Sequence, residues 1–245
     1  MGEVWAIVVA GGSGSRFGGG VLKQFLDLGG RPLIDWAVAA AAGTCDGVVV
    51  VLPDDHVAAD PLAADPLADA PLPAAGAPAA SGEGPPPRRC TAVAGGPSRA
   101  ASVRAGLAAV PVGADIVVVH DAARPLAGPG LFERVVAAVR AGADGAVPGV
   151  PVPDTIKRVD SGDGRAIVVE TLDRPTLRAV QTPQAFRADV LRRAHAGGGD
   201  ATDDAALVEA LGATVVVVEG DPANLKITTA DDLVRAEVLL DRRDA

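Results

Sequence analysis

Residues 4–10, 47–52, 116–120, 145–150 and 214–218 are runs of almost continuous small and β-branched apolar side chains, several of them nearly pure valine. A strand with one wet face alternates apolar and polar residues. Runs this uniform fit strands covered on both faces, as in a mostly parallel sheet with helices on either side. Helical stretches are expected between them at 33–42, 99–109, 130–141, 188–194 and 203–211. A last helix at 230–240 starts with a capping-box pattern, Thr229-Ala230-Asp231-Asp232. Strand and helix alternation over 245 residues predicts one doubly wound α/β domain spanning 1–245. Aromatic residues make up only 2% of the chain, so its core is built from small and branched side chains.

Two stretches break this rhythm. Residues 58–87 repeat Asp-Pro-Leu-Ala units and hold eight prolines, a composition that cannot bury enough apolar surface to offset its ordering entropy. A mobile Ala/Pro-rich insertion is expected there. Between about 151 and 180, two β-prone segments, 154–159 and 166–171, flank a Gly/Asp-rich turn and read as a hairpin. An isolated two-stranded ribbon is only marginally stable, so a projecting hairpin of this kind is expected to pair with another subunit.

The first strand runs directly into Gly11-Gly12-Ser13-Gly14-Ser15-Arg16-Phe17-Gly18-Gly19-Gly20, and Lys23-Gln24-Phe25 follows. Glycines let consecutive backbone N–H groups converge on an anion, and Arg16 and Lys23 add fixed positive charge. A nucleotide-phosphate cradle is the main reading. A plain turn and a dinucleotide site are the alternatives, although Phe17 stands where a dinucleotide fingerprint wants a small residue, and Lys23-Gln24 lacks the Lys-Ser/Thr of a P-loop.

Charge narrows the field. Net charge is −9, which disfavours nucleic acid as a partner because a basic face is the usual footprint of backbone binding. Nineteen arginines stand against three lysines, Lys23, Lys157 and Lys226, and a chain with that bias keeps lysine where a compact point charge is needed. The two cysteines, Cys45 and Cys90, are not in a metal-type pair, and the three histidines are scattered, so reduced thiols and no structural zinc are expected. With no secretory leader pattern and no run of roughly 20 apolar residues, a cytoplasmic protein without membrane contact is expected.

Further motifs follow strand-like runs: Gly95-Gly96-Pro97-Ser98-Arg99-Ala100-Ala101-Ser102-Val103 and Val119-His120-Asp121-Ala122-Ala123-Arg124-Pro125. In open α/β sheets, ligands collect beyond the carboxyl ends of strands. Asp121 there suits a ribose hydroxyl or a magnesium-linked role, with a surface ion pair as the alternative, and Ser98 reads equally as a ligand contact or a helix cap. Asp203 and Asp204 after Thr202 read first as a helix start, their carboxylates near the positive end of the dipole. Thr228 and Thr229 divide between substrate contact and cap.

Together with Asp154-Thr155-Ile156-Lys157-Arg158, Gln181-Thr182-Pro183-Gln184, Thr202-Asp203-Asp204 and Asn224-Leu225-Lys226-Ile227-Thr228, these segments resemble the 2-C-methyl-D-erythritol 4-phosphate cytidylyltransferase family along nearly the whole chain. The resemblance implies a Rossmann-like α/β nucleotidyltransferase fold, a mostly parallel sheet with flanking helices and a projecting β-hairpin dimerisation arm. It implies CTP and a sugar-alcohol phosphate as substrates, Mg2+ or another divalent cation as cofactor, and a homodimer. By the same resemblance, Arg16 and Lys23 stabilise the transition state and Arg174 and Lys226 position the sugar phosphate. Ala10, Gly11, Gly12, Gly14, Gly96, Arg99, Ser102, Asp121 and Ala122 face the nucleotide, with Asp121 also at the metal. Arg124, Thr155, Thr182 and Thr228 face the acceptor, Thr155 from across the dimer interface. The chain departs from the family pattern at Leu22, Pro97 and Ala223, where the family usually has proline, often an acid, and often an acid. Ribitol 5-phosphate cytidylyltransferases share much of the pattern and offer an alternative acceptor. A non-catalytic nucleotide-binding protein is the alternative of another class, with an NAD-dependent dehydrogenase more distant.

Overall fold

A computed structural model describes residues 2–11, 22–57 and 89–243. Gly12, Gly14 and Arg16 of the first loop, and the whole 58–87 insertion, lie outside the described residues. In chain order the elements are β1 (Val4–Val9), β2 (Asp27–Leu28), β3 (Arg31–Pro32), α1 (Leu33–Thr44), β4 (Gly47–Leu52), α2 (Asp54–Val57), β5 (Arg89–Ala94), α3 (Arg99–Ala109), β6 (Ile116–Asp121) and α4 (Pro129–Arg140). There follow β7 (Gly145–Pro151), β8 (Lys157–Asp160), β9 (Ile167–Thr171), β10 (Arg178–Val180), β11 (Gln184–Arg187), α5 (Ala188–Ala196), α6 (Asp204–Glu209), β12 (Val215–Glu219) and α7 (Ala230–Asp241).

The valine runs form the sheet. β5, β4, β1 and β6 lie side by side and parallel. β11 is inserted antiparallel between β6 and β7, and β12 continues parallel along the far side of β7. The sheet is therefore mostly parallel, as expected. β11 lies between the irregular region and the helix expected from 188, where the sequence predicts no element, because four residues with Gln at the start and Arg at the end carry no strand pattern of their own.

Alternation along β1 divides the core. Ala6 and Val8 pack with Ala37 and Val38 of α1 and Phe132 and Val135 of α4, whereas Trp5 and Ile7 pack with Val103 and Leu107 of α3 and Leu191 of α5. Every residue of β4 is buried, which explains why its sequence shows no polar face. A third cluster joins Leu28, Leu33 and Leu126 to Ile227, Ala236 and Leu240. It fastens the C-terminal helix beside the segment that follows the first loop. Thr229 caps α7 by accepting from the Asp232 amide, and the Asp232 carboxylate accepts from the Thr229 amide, completing the expected capping box.

Close approach of α3 to the sheet requires Gly106. A Cβ there would sit 2.6 Å from Ile7 Cγ2 and 3.1 Å from Val51 Cγ2. Ile7 is fully buried and cannot move aside. Gly106→Ala gains up to about 1 kcal/mol of helix propensity, but overpacking a closed core costs about 1–3 kcal/mol. A net loss of stability is expected, read as a lower urea midpoint with an unchanged slope.

The expected hairpin is present. β8 and β9 pair antiparallel with a register shift between Arg158 and Val159, and all their residues are exposed, Ile167, Val168 and Val169 included.

Candidate functional site

Parallel register brings the carboxyl ends of β1, β4, β5 and β6 to one edge, with Val9 opposite both Val51 and Asp121, and Leu52 opposite Ala94. The chain leaves those ends through backbone hydrogen bonds: Ala10 N to Val51 O (2.8 Å), Gly95 N to Leu52 O (2.7 Å) and Ala122 N to Val9 O (3.0 Å). A cavity of about 440 Å³ opens there. Among the described residues it is lined by Val9, Ala10, Gly11, Lys23, Gln24, Gly96, Pro97, Ser98, Arg99, Ser102, Asp121, Ala122, Ala123 and Lys226. A smaller cavity of about 220 Å³ adjoins it, lined by Arg99, Asp121, Arg124, Val180, Gln181, Thr182, Gln184, Thr202, Asp203 and Lys226. Arg99, Asp121 and Lys226 belong to both and form the wall between them.

Lys226 reaches this wall from the far end of the chain because its loop is stapled down. Ile227 N donates to Ala123 O (2.8 Å), Arg124 Nη1 to Asn224 O (2.8 Å), Asn224 Nδ2 to Thr182 O (2.9 Å) and Gln181 Nε2 to Asp221 O (2.8 Å). Its ammonium then donates to Asp121 Oδ2 at 2.8 Å. On the other side, Arg99 Nε donates to Asp121 Oδ1 at 3.1 Å, and Arg99 Nη1 to Asp204 Oδ2 at 2.8 Å. Burial alone would raise the Asp121 pKa, but Arg99 and Lys226 outweigh it and hold the carboxyl well below its usual range. Burial likewise works against the Arg99 charge, and Asp121 and Asp204 more than restore it.

Beneath Asp121 lies His120, fully buried and pushed down to about 4 by desolvation. Its Nε2 faces the Arg124 carbonyl (3.2 Å), so the proton sits on Nε2, and Nδ1 accepts from Thr182 Oγ1 (3.1 Å). Thr182 Oγ1 in turn accepts from the Asp121 amide at 3.0 Å. Arg124 is shifted down by burial, partly offset by Asp121.

Most of the expected site residues converge. Lys23, Lys226, Ala10, Gly11, Gly96, Arg99, Ser102, Asp121 and Ala122 line the larger cavity, and Arg124 and Thr182 the smaller one. Ser102 Oγ accepts from the Gly96 amide at 3.2 Å and so shapes the Gly95-Gly96 turn. Ser98 lines the larger cavity and also caps α3, accepting from Ala101 N. Thr155, before β8, and Arg174, after β9, are exposed and lie outside both cavities, with Arg174 Nη1 donating to Pro153 O at 2.8 Å. Thr228 is also outside both, its hydroxyl donating to Asp232 Oδ2 at 2.7 Å in the cap of α7. Of the two acids read as a helix start, Asp203 accepts from Ala206 N as the cap, whereas Asp204 turns inward to Arg99 and His195. Gln184, Thr202 and Asp203 line the smaller cavity without having been singled out as ligands; the Thr-Pro-Gln and Thr-Asp-Asp segments were the available signal.

For a divalent cation, no group of three His, Cys, Asp or Glu among the described residues forms a cage. Asp121 is a single carboxylate on the cavity wall. That fits a hard ion held mainly by phosphate oxygens and water, with one protein carboxylate.

A mostly parallel sheet with a cavity of about 440 Å³ at its carboxyl edge, lined by Gly11, Gly96 and two lysines among the described residues, defines a Rossmann-like α/β nucleotide-binding protein. The profile of IspD, 2-C-methyl-D-erythritol 4-phosphate cytidylyltransferase, matches residues 4–242, and the chain belongs to this family. It is 46% identical over 246 residues to the 2-C-methyl-D-erythritol 4-phosphate cytidylyltransferase of Nocardia farcinica, covering 100% of this chain and 96% of that one. It is also 46% identical to a bifunctional enzyme IspD/IspF of Anaeromyxobacter dehalogenans, over 98% of this chain and 57% of that longer protein. Among solved structures, 2-C-methyl-D-erythritol 4-phosphate cytidylyltransferase from Thermus thermophilus superimposes with a TM-score of 0.70 at 34% identity, over 98% of this chain and 100% of that one.

Proposed function

We propose that this chain transfers the cytidylyl group of CTP to 2-C-methyl-D-erythritol 4-phosphate, releasing pyrophosphate, in isoprenoid precursor synthesis. One observation carries the reading beyond family membership. Two adjoining cavities, of about 440 and 220 Å³, meet at a wall made of Arg99, Asp121 and Lys226. A nucleotidyl transfer needs that layout, with the donor phosphate on one side and the acceptor phosphate on the other.

The acceptor is a phosphate monoester whose second pKa lies near 6, so at neutral pH it is already a dianionic nucleophile and no general base is required. One of its oxygens bonds to the α-phosphorus of CTP as the bond from that phosphorus to the bridging oxygen breaks. Pyrophosphate leaves with the electron pair. The protein's task is to align two anions and neutralise the charge that develops. Lys23 serves the donor side, Arg124 and Thr182 the acceptor side, and Lys226 stands at the junction. Arg16 joins them on the strength of the family resemblance. Asp121 would hold a magnesium or similar ion, which would supply further neutralisation at the phosphates.

The reading takes residues 1–245 as one catalytic domain that works as a cytoplasmic homodimer. That Thr155 and Arg174 are exposed and lie outside both cavities of their own chain supports their use at a partner's acceptor site. The buried thiols Cys45 and Cys90 suit a reducing compartment.

Pairing each of the four nucleoside triphosphates with methylerythritol phosphate and with ribitol 5-phosphate, and following pyrophosphate, tests the reading. Turnover is expected for CTP with methylerythritol phosphate. Preference for ribitol 5-phosphate would replace the acceptor, and nucleotide binding without turnover in any pair would replace the enzyme with a binding protein.

A further inference from the structure

Asp204 is out of place as a helix-start acid. Its neighbour Asp203 already caps α6, and Asp204 itself is 1% exposed. Both of its oxygens are engaged: Oδ2 accepts from Arg99 Nη1 at 2.8 Å, and Oδ1 faces His195 Nε2 at 3.0 Å. Facing a carboxylate, the imidazole donates from Nε2. His195 is 3% exposed, on the inward side of α5. From it an unbroken series of charge-assisted contacts runs to the wall between the cavities: His195 to Asp204, Asp204 to Arg99, Arg99 to Asp121, and Asp121 to Lys226.

Burying such a series is a poor way to gain stability, because desolvating the charges consumes most of what their attraction returns, and apolar residues of similar volume do as well. What the arrangement does supply is orientation. A planar guanidinium bridging two carboxylates through two of its nitrogens has its rotamer fixed at both ends. Arg99 then holds Asp121 Oδ1, and the opposite oxygen of Asp121 determines where the Lys226 ammonium rests. The segment that carries Asp204 is itself tied to α3: Ser98 Oγ donates to Asp200 Oδ1 (2.9 Å), Arg104 Nη1 to Gly199 O (3.1 Å) and, from β11, Gln184 Nε2 to Asp203 Oδ2 (3.1 Å).

We propose that His195 and Asp204 are positioning residues for cytidylyl transfer, acting through Arg99 and Asp121 to place the Lys226 ammonium between the two cavities. The inference rests on the transferase reading above. Neither residue lines either of the two cavities, which places them behind the substrate-facing wall. Their effect is on turnover, since a misplaced ammonium weakens an interaction that tightens only as charge develops.

The test is a double-mutant cycle on the full-length protein, following pyrophosphate release and thermal unfolding together. His195→Leu is expected to lower kcat at least tenfold with KM for both substrates within twofold, and His195→Gln, which keeps an N–H donor near the place of Nε2, to stay within threefold of the parent. In a Lys226→Met background, His195→Leu is expected to change kcat less than twofold, because the group it positions is gone. A purely structural role would lower kcat by the same factor in both backgrounds, and that result overturns the proposal. So does an unimpaired His195→Leu. Should His195→Leu melt below the assay temperature, the cycle is run with His195→Asn, which is too short to reach Asp204, and is judged by the same criterion. A parent that transfers no cytidylyl group at all would instead overturn the transferase reading, and this inference with it.

Discussion

Lys226→Met is expected to lower kcat about a hundredfold, the effect of removing one preorganised donor aimed at developing charge, or roughly 3 kcal/mol. Lys226 lines both cavities, and its ammonium is held by Asp121 at 2.8 Å. A group at the junction of donor and acceptor meets the pentavalent phosphorus more closely than either ground state, so kcat and kcat/KM are expected to fall together. Lys226→Arg is expected to recover only part of the loss, because a flat fork presents its charge differently from a compact ammonium. Steady-state pyrophosphate assays over both substrates decide the matter. A variant with parental kcat and a raised KM would make Lys226 a ground-state binder and remove it from the transition state.

The buried strands were legible because a strand covered on both faces has no choice but to be apolar throughout: β4 was read to its true ends, and α3 likewise, between Ser98 and Ala109. β5 and β11 were not. Arg89–Ala94 mixes Arg, Cys and Thr with alanine and takes its place only by pairing with the all-valine β4. Gln184–Arg187 is four residues long and is a strand only because β6 and β7 present open edges on either side of it. The site was legible in pieces. Lys23 and Lys226 stood out as two of three lysines, yet nothing in their spacing brings them together. That needs the Leu28, Ile227 and Leu240 cluster and the hydrogen bonds of Asn224. Asp204 and His195 were missed for the opposite reason: an acid at a helix start and a lone histidine on an amphipathic helix each have a sufficient local explanation, and only the tertiary fold shows them facing one another.

Asp121→Asn is expected to be the most costly single change to the site. It leaves the partly buried Arg99 with one carboxylate in place of two and releases Lys226, and breaking a buried pair by removing one partner costs about 3–5 kcal/mol. Because Lys226 is partly exposed, the lower end of that range is the better expectation. Turnover falls as well, since the carboxylate is the candidate ion holder and fixes both cations of the wall. The pH dependence separates the electrostatic part from mere packing. The folded-state pKa of Asp121 lies below its unfolded value of about 3.9, so below that pH the unfolded chain binds the extra proton first. The contribution of Asp121 is therefore fully present above about pH 5, and it drains away as pH falls through the unfolded pKa toward the folded one. Urea unfolding in metal-free buffer is expected to show parent and Asp121→Asn well separated at pH 7 and converging as pH drops below 4. Curves that stay parallel down to pH 2 would mean that the carboxylate's charge contributes nothing, and that Arg99 and Lys226 are held in place by something other than Asp121.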